Sequence, residues 1–590
     1  MMTIFSAVVV PLLALPLGTS FALPDLRQTI LQLSDANRDV TASATQRQTL
    51  KDMIYALDVM QDSYFEQWLG TWPDAIDWTA AVVGTHVSGA LSSLTMTSPE
   101  LLSSPIANSS VLEQTLAYEN LINRYFDQVS NFYFGENAFA VRMQAFDDML
   151  WVVLGWLESI KFQNLHSELH YETMNSTIEA QWHGKQLQVP AAHRARIFYE
   201  LASTGWDSEL CEGGMIWSPY LEPYKNAITN ELFISASIGM YLYFTGDPIS
   251  APFIMPSGHY RVHDPSFLAA AVRSYQWLKD SNMTGTGGLY ADGFHIHGYK
   301  GVKNPGTKKC DVLNPMIFTY NQGVVLSGLR GLWLATSYQD YLEDGHELVQ
   351  RVMRATGWPK TNRRNWAGLG RGGVLEEACD SHSDCSQNGH TFKGIFFHHL
   401  TEFCHVLRPE EVRLLALFAE PGESIEEKQD TFNKWHLAQC RKYGDWVAHN
   451  AQAALATRNE QGKFGMWWGV TFPSAHVDIT GTDMEESHIP AGAIDYVNHG
   501  EAGPDSEELK GLLRPASGAD YSEDNRDPTI PSKMGTPLPL TKEATAGQYE
   551  NGRWVRDVND RGRGRTVETQ SGGLAVLRAW YQWQTSSFLQ

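Results

Sequence analysis

The chain has 590 residues, of which 43% are hydrophobic, and it carries a formal net charge of -22. This much apolar material can fill a large core, whereas so acidic a surface repels phosphate backbones and argues against nucleic acid as a partner. Such a surface suits a neutral or cationic substrate.

The first element in chain order is a candidate targeting segment. Residues 4–19 are mostly apolar and residues 20–22 (Ser-Phe-Ala) resemble a cleavage site, so we expect a signal peptide over residues 1–22. A membrane anchor is the alternative, but it needs about 20 apolar residues, and this run is shorter and broken by Pro11 and Pro16. We therefore expect a secreted protein with no membrane segment after signal removal.

Apolar helical segments recur along the rest of the chain. Each opens on an aromatic or charged corner, followed by small residues and a long apolar face, and they begin near Trp78, Asp147, Lys225, Tyr320, Phe392 and Ser571. The first five starts are spaced by roughly 70–95 residues, which is typical of a helical repeat. The last gap is longer because it contains a polar stretch at 472–565.

More polar helical segments alternate with the apolar ones. They cover residues 44–60, 112–127, 190–203, 265–280, 341–356 and 443–456. Inner helices can be apolar on most sides, whereas outer helices need only one apolar stripe. The alternation predicts an all-α fold, an (α/α)6 barrel in which six inner and six outer helices form a closed toroid. An irregular α-solenoid or two helical bundles are the alternatives.

These segments give a simple domain organisation. After the signal peptide, residues 23–471 form the barrel, residues 472–565 are a polar insertion, and residues 566–590 contain a helix that completes the barrel. The insertion has few apolar residues and many turn formers, so we expect a long surface loop or a partly disordered excursion.

Six cysteines fit an oxidising compartment, although free buried thiols are the alternative. They allow 15 pairings, and we prefer the pair Cys379–Cys385, which is close in sequence. Three N-glycosylation sequons lie at Asn108, Asn175 and Asn282.

We predict no metal site and no cofactor. The cysteines and histidines lack zinc-like spacing. His295, His297, His398 and His399 are therefore expected to be ordinary surface or core residues. The glycine-rich residues 368–373 follow no predicted strand and are expected to form a loop, so they are not a nucleotide-binding fingerprint.

The adjacent carboxylates Asp147 and Asp148 are the sharpest candidate catalytic feature. They open an otherwise apolar helix, where two acids are costly unless they are solvated, paired or used. The helix N-terminus favours the ionised form of one acid, whose charge then raises the pKa of the other. A carboxylate beside a protonated acid is what glycoside hydrolysis requires. An N-cap followed by a first-turn acid is the structural alternative.

Aromatic and amide residues at or near the other helix starts are candidate sugar-binding groups. Aromatic faces stack on sugar rings, and amide or ammonium groups bind hydroxyls. For any single Trp core packing is the favoured explanation, and it is the recurrence at matching positions that favours sugar binding. The candidates are Trp151, Trp217, Asn226, Tyr320, Asn321, Gln322, Lys393, Trp467 and Trp468. Asp292 follows a glycine-rich turn and is either a ligand for a hydroxyl or a plain turn aspartate.

Several short motifs together resemble glycoside hydrolase family 76. They are residues 147–151 (DDMLW), 213–217 (GGMIW), 225–233 (KNAITNELF), 243–247 (YFTGD), 320–326 (YNQGVVL), 392–396 (FKGIF) and 571–575 (SGGLA). The resemblance implies an (α/α)6 barrel and a secreted endo-acting α-1,6-mannanase. It also implies that Asp147 is the nucleophile and Asp148 the general acid/base of a retaining mechanism.

The expected partner is therefore α-mannan or a mannoprotein glycan, bound by a monomer that is extracellular or associated with the cell wall. A cell-wall mannan transglycosylase is an alternative, since the same acid pair serves transfer. A non-catalytic mannan-binding wall protein is another. Fungal relatives anchored in the wall end in a hydrophobic tail, and the end of this chain, residues 580–590, has none. We therefore expect a freely secreted enzyme.

Overall fold

In a computed structural model of the chain, the described residues are 44–97, 109–132, 144–171, 182–249, 261–362, 365–419, 424–471, 488–498, 548–550, 553–555, 559 and 564–585. The predicted signal peptide, the sequons at Asn108 and Asn175 and most of the insertion lie outside these ranges. Asn282 lies within them and is exposed.

The described part of the chain is mainly helical. In chain order the α-helices are α1 (Ala44–Tyr64), α2 (Asp77–Thr97), α3 (Ser109–Ser130), α4 (Phe146–His170), α5 (Gln188–Ser203), α6 (Ala227–Tyr243), α7 (Pro265–Asp280), α8 (Val324–Thr336), α9 (Asp340–Ala355), α10 (Gln387–Cys404), α11 (Pro409–Leu417), α12 (Ile425–Thr431), α13 (Leu437–Arg441), α14 (Gly444–Ala456) and α15 (Val567–Trp583). Single turns of 3-10 helix lie at Tyr320–Gln322 and Trp468–Thr471, and a π-helical turn spans Phe432–His436.

Short strands accompany the helices. They are β1 (Lys225–Asn226), β2 (Gly293–His295), β3 (Val312–Asn314), β4 (Gly370–Arg371), β5 (Val374–Leu375), β6 (Gln548–Glu550) and β7 (Arg553–Val555). β1, β2 and β3 form one antiparallel sheet in that order, β4 pairs with β5, and β6 pairs with β7. The expectation of a plain loop at 368–373 is therefore wrong: the positive φ angles of Gly370, Gly372 and Gly373 let this segment fold into a tight hairpin.

The helices with the most apolar sequences contact one another in a cyclic order. α2 packs on α4, α4 on α6, α6 on α8, α8 on α10, α10 on α15, and α15 packs back on α2. In α6 every residue from Ala227 to Leu242 is buried, which explains why this helix shows no polar stripe.

The more polar helices pack outside this cycle. α1 and α14 contact α15, α3 contacts α2, α5 contacts α4, α7 contacts α6, and α9 contacts α8. In α9, for example, Leu342, Leu348 and Val349 are buried, whereas Asp340 is exposed. The predicted alternation of apolar and polar helices is confirmed. The starts shift by a few residues, most at α10, which begins at Gln387 rather than near Phe392.

Glycine permits the closest approach between two of the central helices. A Cβ atom built on Gly394 of α10 would lie 2.8 Å from the Cα of Gly572 in α15. Because so short a contact excludes any side chain, the small residues in these apolar segments serve helix packing.

Buried charges connect the other ends of the central helices. Glu402 of α10 accepts hydrogen bonds from Arg408 (3.1 Å) and Arg578 (2.6 Å) and pairs with Lys161 at 2.9 Å. Nearby, His398 contacts Arg578 at 3.2 Å and His399 contacts Ser327 at 2.8 Å. These two histidines are therefore core residues.

Three disulfides join Cys211 to Cys310, Cys379 to Cys385 and Cys404 to Cys440. The preferred pair Cys379–Cys385 is confirmed, and three disulfides indicate an oxidising, extracytoplasmic environment. Of the helices described above, none is both long and apolar enough to cross a bilayer.

Candidate functional site

The acid pair Asp147–Asp148 lies in the first turn of α4, and both residues are partly buried. The backbone N–H of Asp148 donates to Oδ1 of Asp147 at 3.0 Å, and the N–H of Ala145 donates to Oδ2 of Asp148 at 3.3 Å. Free amides and the helix dipole at this end favour negative charge. The sequence-based placement of the pair at a helix N-terminus is therefore confirmed.

Trp217, from the turn before α6, also binds Asp147. Its indole Nε1 donates to Oδ2 of Asp147 at 3.0 Å, and its carbonyl accepts from the N–H of Phe146 at 2.9 Å. Trp217 thus contacts both the backbone at the start of α4 and the carboxylate that follows it.

A polar framework fixes the turn that carries Trp217. Lys225 is fully buried, and its Nζ donates to the carbonyl of Gly214 at 2.6 Å. The side chain of Asn230 accepts from the N–H of Met215 at 2.7 Å and donates to its carbonyl at 3.2 Å. Gly214 has a positive φ of 89° and packs against an indole ring, so other residues are strained there. Lys225 and Asn230 therefore act as positioning residues.

The pKa of Asp147 differs from that of an isolated carboxyl group. Burial raises the pKa of Asp147 well above its usual range, and the charge of Asp148 raises it further. The hydrogen bonds from Asp148 and Trp217 act in the opposite direction, since they stabilise the ionised form. Burial and the neighbouring charge therefore both favour the protonated form of Asp147.

Stacked rings line the N-terminal ends of the central helices. Trp151 stacks on Trp78 with 5.6 Å between ring centroids, and Tyr320 stacks on Phe392 at 3.8 Å. The indole of Trp78 also donates to Oδ1 of Asn388 at 2.8 Å. Trp151 and Tyr320 are almost fully buried, so packing accounts for most of their surface, while Trp78 and Trp217 remain partly exposed.

Further acids surround Tyr320. Burial is the main reason that the pKa of Tyr320 rises well above its usual value, and the charges of four carboxyl groups add to it. They belong to Asp292, Asp147, Glu231 and Glu377. The phenol of Tyr320 therefore lies within electrostatic reach of Asp147 and of three acids from other parts of the chain.

Asp292 is a buried acid rather than a turn residue facing solvent. It accepts hydrogen bonds from the hydroxyl of Tyr224 at 2.5 Å and from Nδ2 of Asn314 at 3.2 Å. Burial raises its pKa to about 7 despite these two bonds.

Glu376 and Glu377 form a second adjacent acid pair, which sequence reasoning missed. Glu376 accepts from Nε1 of Trp467 at 3.0 Å and pairs with Arg371 at 3.3 Å, and burial raises its pKa to about 7. Glu377 accepts hydrogen bonds from the backbone N–H and the hydroxyl of Thr319, and burial raises its pKa to about 8.

Several buried polar atoms at these helix starts have no hydrogen-bond partner within the described ranges. They include Oδ1 of Asn226, both amide atoms of Asn321, both carboxyl oxygens of Glu231, Oε1 of Glu376 and Oε2 of Glu377. Buried polar groups are normally satisfied, so such a concentration needs an explanation.

Other predicted binding residues are engaged by the protein. Gln322 exchanges hydrogen bonds of 2.9 Å with the backbone N–H and carbonyl of Tyr290. Lys393 pairs with Asp380 at 2.6 Å and is buried beside Trp468, which is itself buried. These contacts hold the side chains in place, and their contact with a substrate stays a prediction.

Among the residues that the structure describes, two groups of side chains are spaced closely enough to hold a metal ion: His346, His436 and Cys440, and Cys379, Asp380 and Cys385. Every cysteine in them is already part of a disulfide, and His346 and His436 bond each other at 2.8 Å. Neither donor set therefore fits a metal site.

Part of the chain matches a known protein family. Residues 192–461 match the family described as glycosyl hydrolase family 76. The matched range contains Trp217, Asn226, Tyr320 and Lys393 but begins after Asp147 and Asp148.

Individual relatives are distant. The mannan endo-1,6-alpha-mannosidase DCW1 of Candida glabrata is 26% identical over 197 residues, which is 32% of this chain and 35% of that protein. The match thus spans about a third of this curated relative's length.

Two solved structures are also similar to this chain. An inactive variant of an α-1,6-mannanase of Salegentibacter sp. HEL1_6, in complex with α-1,6-mannotriose, has a TM-score of 0.42 and 18% identity, covering 71% of this chain and 92% of that one. Dfg5 of Chaetomium thermophilum, in complex with glucosamine, has a TM-score of 0.43 and 14% identity, covering 73% and 85%.

Proposed function

We propose that this chain, whose residues 192–461 match glycosyl hydrolase family 76, cleaves α-1,6-mannosidic linkages of a mannan backbone. Asp147 and Asp148 are the catalytic pair of a retaining mechanism. The observation that carries the proposal is the raised pKa of Asp147 beside a second acid at a helix N-terminus, within electrostatic reach of an aromatic-lined group of acids.

The cyclic contacts of α2, α4, α6, α8, α10 and α15 favour a closed (α/α)6 barrel. In such a barrel the N-terminal ends of the central helices converge on one mouth. The contact of Trp217 with Asp147, and the stacking of Trp78 on Trp151, support this arrangement. A glycan bound at the mouth would meet acids and rings contributed by several helices at once.

The chemistry follows from one ionised and one protonated acid. The carboxylate attacks the anomeric carbon, the bond from that carbon to the bridging oxygen breaks, and the protonated acid gives its proton to the leaving oxygen. Water then attacks the anomeric carbon of the glycosyl-enzyme. The acid that gave up its proton in the first step takes a proton from this water, and the bond from the sugar to the nucleophile breaks, which restores both acids to their starting states.

The proton position suggests an assignment of roles. Burial and the charge of Asp148 favour the protonated form of Asp147 in the free protein, and on this basis we assign Asp147 as the proton donor and Asp148 as the nucleophile. The family resemblance implies the reverse. Adjacent acids titrate together, so the proton can also move within the pair when a sugar binds.

Mannan is neutral and rich in hydroxyls, which suits this site. Neutral carboxyl groups with raised pKa values, such as Asp292 and Glu376, can donate hydrogen bonds as well as accept them. The partly exposed rings of Trp78 and Trp217 offer faces for stacking. The three disulfides support an extracellular, secreted enzyme.

The test compares Asp147→Asn and Asp148→Asn on α-1,6-mannan and on an aryl α-1,6-mannobioside with a good leaving group. Both variants lose activity on mannan, by about 10³-fold or more. On the aryl substrate only the proton-donor variant keeps its rate of glycosyl transfer, because a good leaving group needs no proton. Asp340→Asn, which changes an exposed first-turn acid of α9, serves as control and keeps full activity.

Full mannan activity in either variant would remove the mechanism. Retention of aryl-substrate activity in Asp148→Asn, instead of Asp147→Asn, would restore the roles that the resemblance implies. Adding a sugar acceptor to the wild-type reaction separates hydrolysis from transglycosylation, since only transfer yields lengthened products.

A further inference from the structure

The inference concerns residues 488–498, here called the strap. They belong to the polar insertion between α14 and α15, yet they pack against the helical body. Asp495 and Asn498 are buried, and the strap folds on itself through bonds of 2.9 Å and 3.0 Å from Asn498 to the carboxylate of Asp495.

One part of the strap is bound to the sheet that precedes α8. The amide of Asn314 pairs with the backbone of Ile494 twice: its Oδ1 accepts from the N–H at 2.9 Å, and its Nδ2 donates to the carbonyl at 2.8 Å. The hydroxyl of Tyr496 contacts Nε2 of His295 at 3.0 Å, and its ring meets the ring of Tyr224 edge-on at 6.0 Å.

Other parts of the strap reach α10 and the hairpin before it. Oδ1 of Asn498 accepts from the N–H of Ser386 at 3.0 Å. His488 stacks on Trp366 with 4.4 Å between centroids and a 5° interplanar angle, and its Nε2 contacts Nη2 of Arg371 at 2.9 Å. The strap therefore spans the rim from β2 and β3 to the start of α10.

The same anchors contact the candidate acids. Asn314 donates to Asp292 while it holds Ile494, and Arg371 pairs with Glu376 while it contacts His488. The charge of Asp495 contributes to the raised pKa of Asp292. The strap thus lies at the acid-bearing end of the helices.

Its position relative to the acid pair follows from the helix order. In the cycle of central helices, α4 and α10 are separated by two helices in one direction, α6 and α8, and by two in the other, α15 and α2. Asp147 and Asp148 start α4, whereas the contacts of the strap reach from Tyr224, just before α6, to Ser386, just before α10. A substrate lying on the mouth would therefore run from the acid pair toward the strap.

We propose that the strap is a specificity element that closes one end of the substrate cleft and limits the number of sugar units that fit beyond the cleaved bond. The inference rests on the proposed function, because the ligand is the same α-1,6-linked mannan. Tyr496 and His488, whose rings are partly exposed, form the wall that a chain end meets. Cleavage then occurs close to a chain end and releases short products of narrow size range.

The variants Tyr496→Ala, His488→Ala and the two combined remove this wall without changing a residue of the acid pair. Ala491→Ser, an exposed change on the same strap, is the matched control. Thermal unfolding of each variant checks that the helical body is intact. Products from α-1,6-mannan are sized, and binding of α-1,6-manno-oligosaccharides of increasing length is measured by calorimetry.

With the wall in place, affinity stops rising once the oligosaccharide spans the cleft. In the combined variant affinity keeps rising with chain length, by about threefold or more for the longest ligand, and the products lengthen. The control behaves as the wild type. Unchanged product sizes and an unchanged length dependence in a folded combined variant overturn the proposal.

The two proposals fail in distinguishable ways. If the wild type does not cleave mannan, but its affinity reaches a plateau with chain length that the combined variant lacks, the catalytic proposal fails and the strap proposal stands. If the wild type cleaves mannan and the combined variant gives the same products, only the strap proposal fails. If the wild type neither binds nor cleaves, both fail.

Discussion

The indole Nε1 of Trp217 donates a hydrogen bond of 3.0 Å to Oδ2 of Asp147, and this bond links a turn before α6 to the first turn of α4. It favours the ionised form of a carboxyl whose pKa burial raises well above its usual range. The bond therefore limits how far that pKa can rise.

Trp217→Phe should raise the pKa of Asp147 further, because the ionised form loses a donor. If Asp147 gives the proton to the leaving oxygen, the basic limb of the pH profile of kcat/KM moves to higher pH by roughly 0.5–1 unit. Trp583→Phe, at the far end of α15, is the control, since its Nε1 donates to the backbone carbonyl of Cys440 at 2.8 Å. If the basic limb of the kcat/KM profile did not shift in Trp217→Phe, Asp147 would not be the group that titrates on that limb.

The helices and the acid pair could be predicted because their signals are local. Apolar periodicity gives a helix wherever one face or all faces are buried, and Asp147–Asp148 stand out against apolar neighbours. The start of α10 was misplaced because its first turn is polar. Ser386 caps this turn by accepting from the N–H of Gly389 at 3.3 Å, a contact that apolar patterns do not report.

The remaining site residues were harder to predict, because their burial depends on contacts between elements that are far apart in the sequence. Glu231 is one polar residue within an apolar helix, and only packing against other helices makes its burial complete. Glu376–Glu377 did offer a signal, an acid pair in the apolar context Val374-Leu375-Glu-Glu-Ala378, which is the type that identified Asp147–Asp148. The strap is held by amide and backbone bonds, so its polar composition resembles a free loop.

Stability should depend on pH through the buried acid Glu377, whose pKa burial raises to about 8. In this case the folded state binds a proton more tightly than the unfolded state. Its contribution is fully present below the usual glutamate pKa and is lost as pH rises through about 8. Buried histidines with lowered pKa values, such as His86 at about 3, act in the opposite sense at low pH, so only a difference between variants isolates the acid.

Glu377→Gln should therefore match the wild type in free energy of unfolding at pH 5 and exceed it at pH 9, by at most about 4 kcal/mol. Chemical denaturation at both pH values, with disulfides intact, measures the difference. Glu347→Gln on the exposed face of α9 is the control and shows no such trend. A constant difference between the variant and the wild type across this pH range would contradict the assignment.

The close approach of α10 and α15 predicts an asymmetric effect of two similar substitutions. A Cβ atom on Gly394 would lie 2.8 Å from the Cα of Gly572, whereas a Cβ on Gly572 meets nothing closer than 3.7 Å. Gly394→Ala should cost about 1–3 kcal/mol of unfolding free energy by forcing the helices apart. Gly572→Ala should be neutral or slightly stabilising, since alanine favours helix. Equal effects in thermal melts would show that the helices are not in this contact.

The three disulfides close chain loops of very different length, and their removal should separate stability from activity. Cys211 and Cys310 are 99 residues apart, whereas Cys379 and Cys385 are 6 apart. Because a longer loop restricts the unfolded chain more, replacing Cys211 and Cys310 by Ser should cost about 4–5 kcal/mol, against about 2 kcal/mol for the short pair.

Removal of the short disulfide should lower activity more than removal of the long one, which is the opposite of the order expected for stability. The short disulfide adjoins Asp380, which pairs with Lys393 and adds to the raised pKa of Glu377, so its loss disturbs the second acid pair directly. Differential scanning calorimetry and kcat/KM on α-1,6-mannan, measured on both double variants below their unfolding temperatures, test the two orders together. If the variant without Cys379–Cys385 kept full kcat/KM, this disulfide would not be needed to position the acids around Glu377.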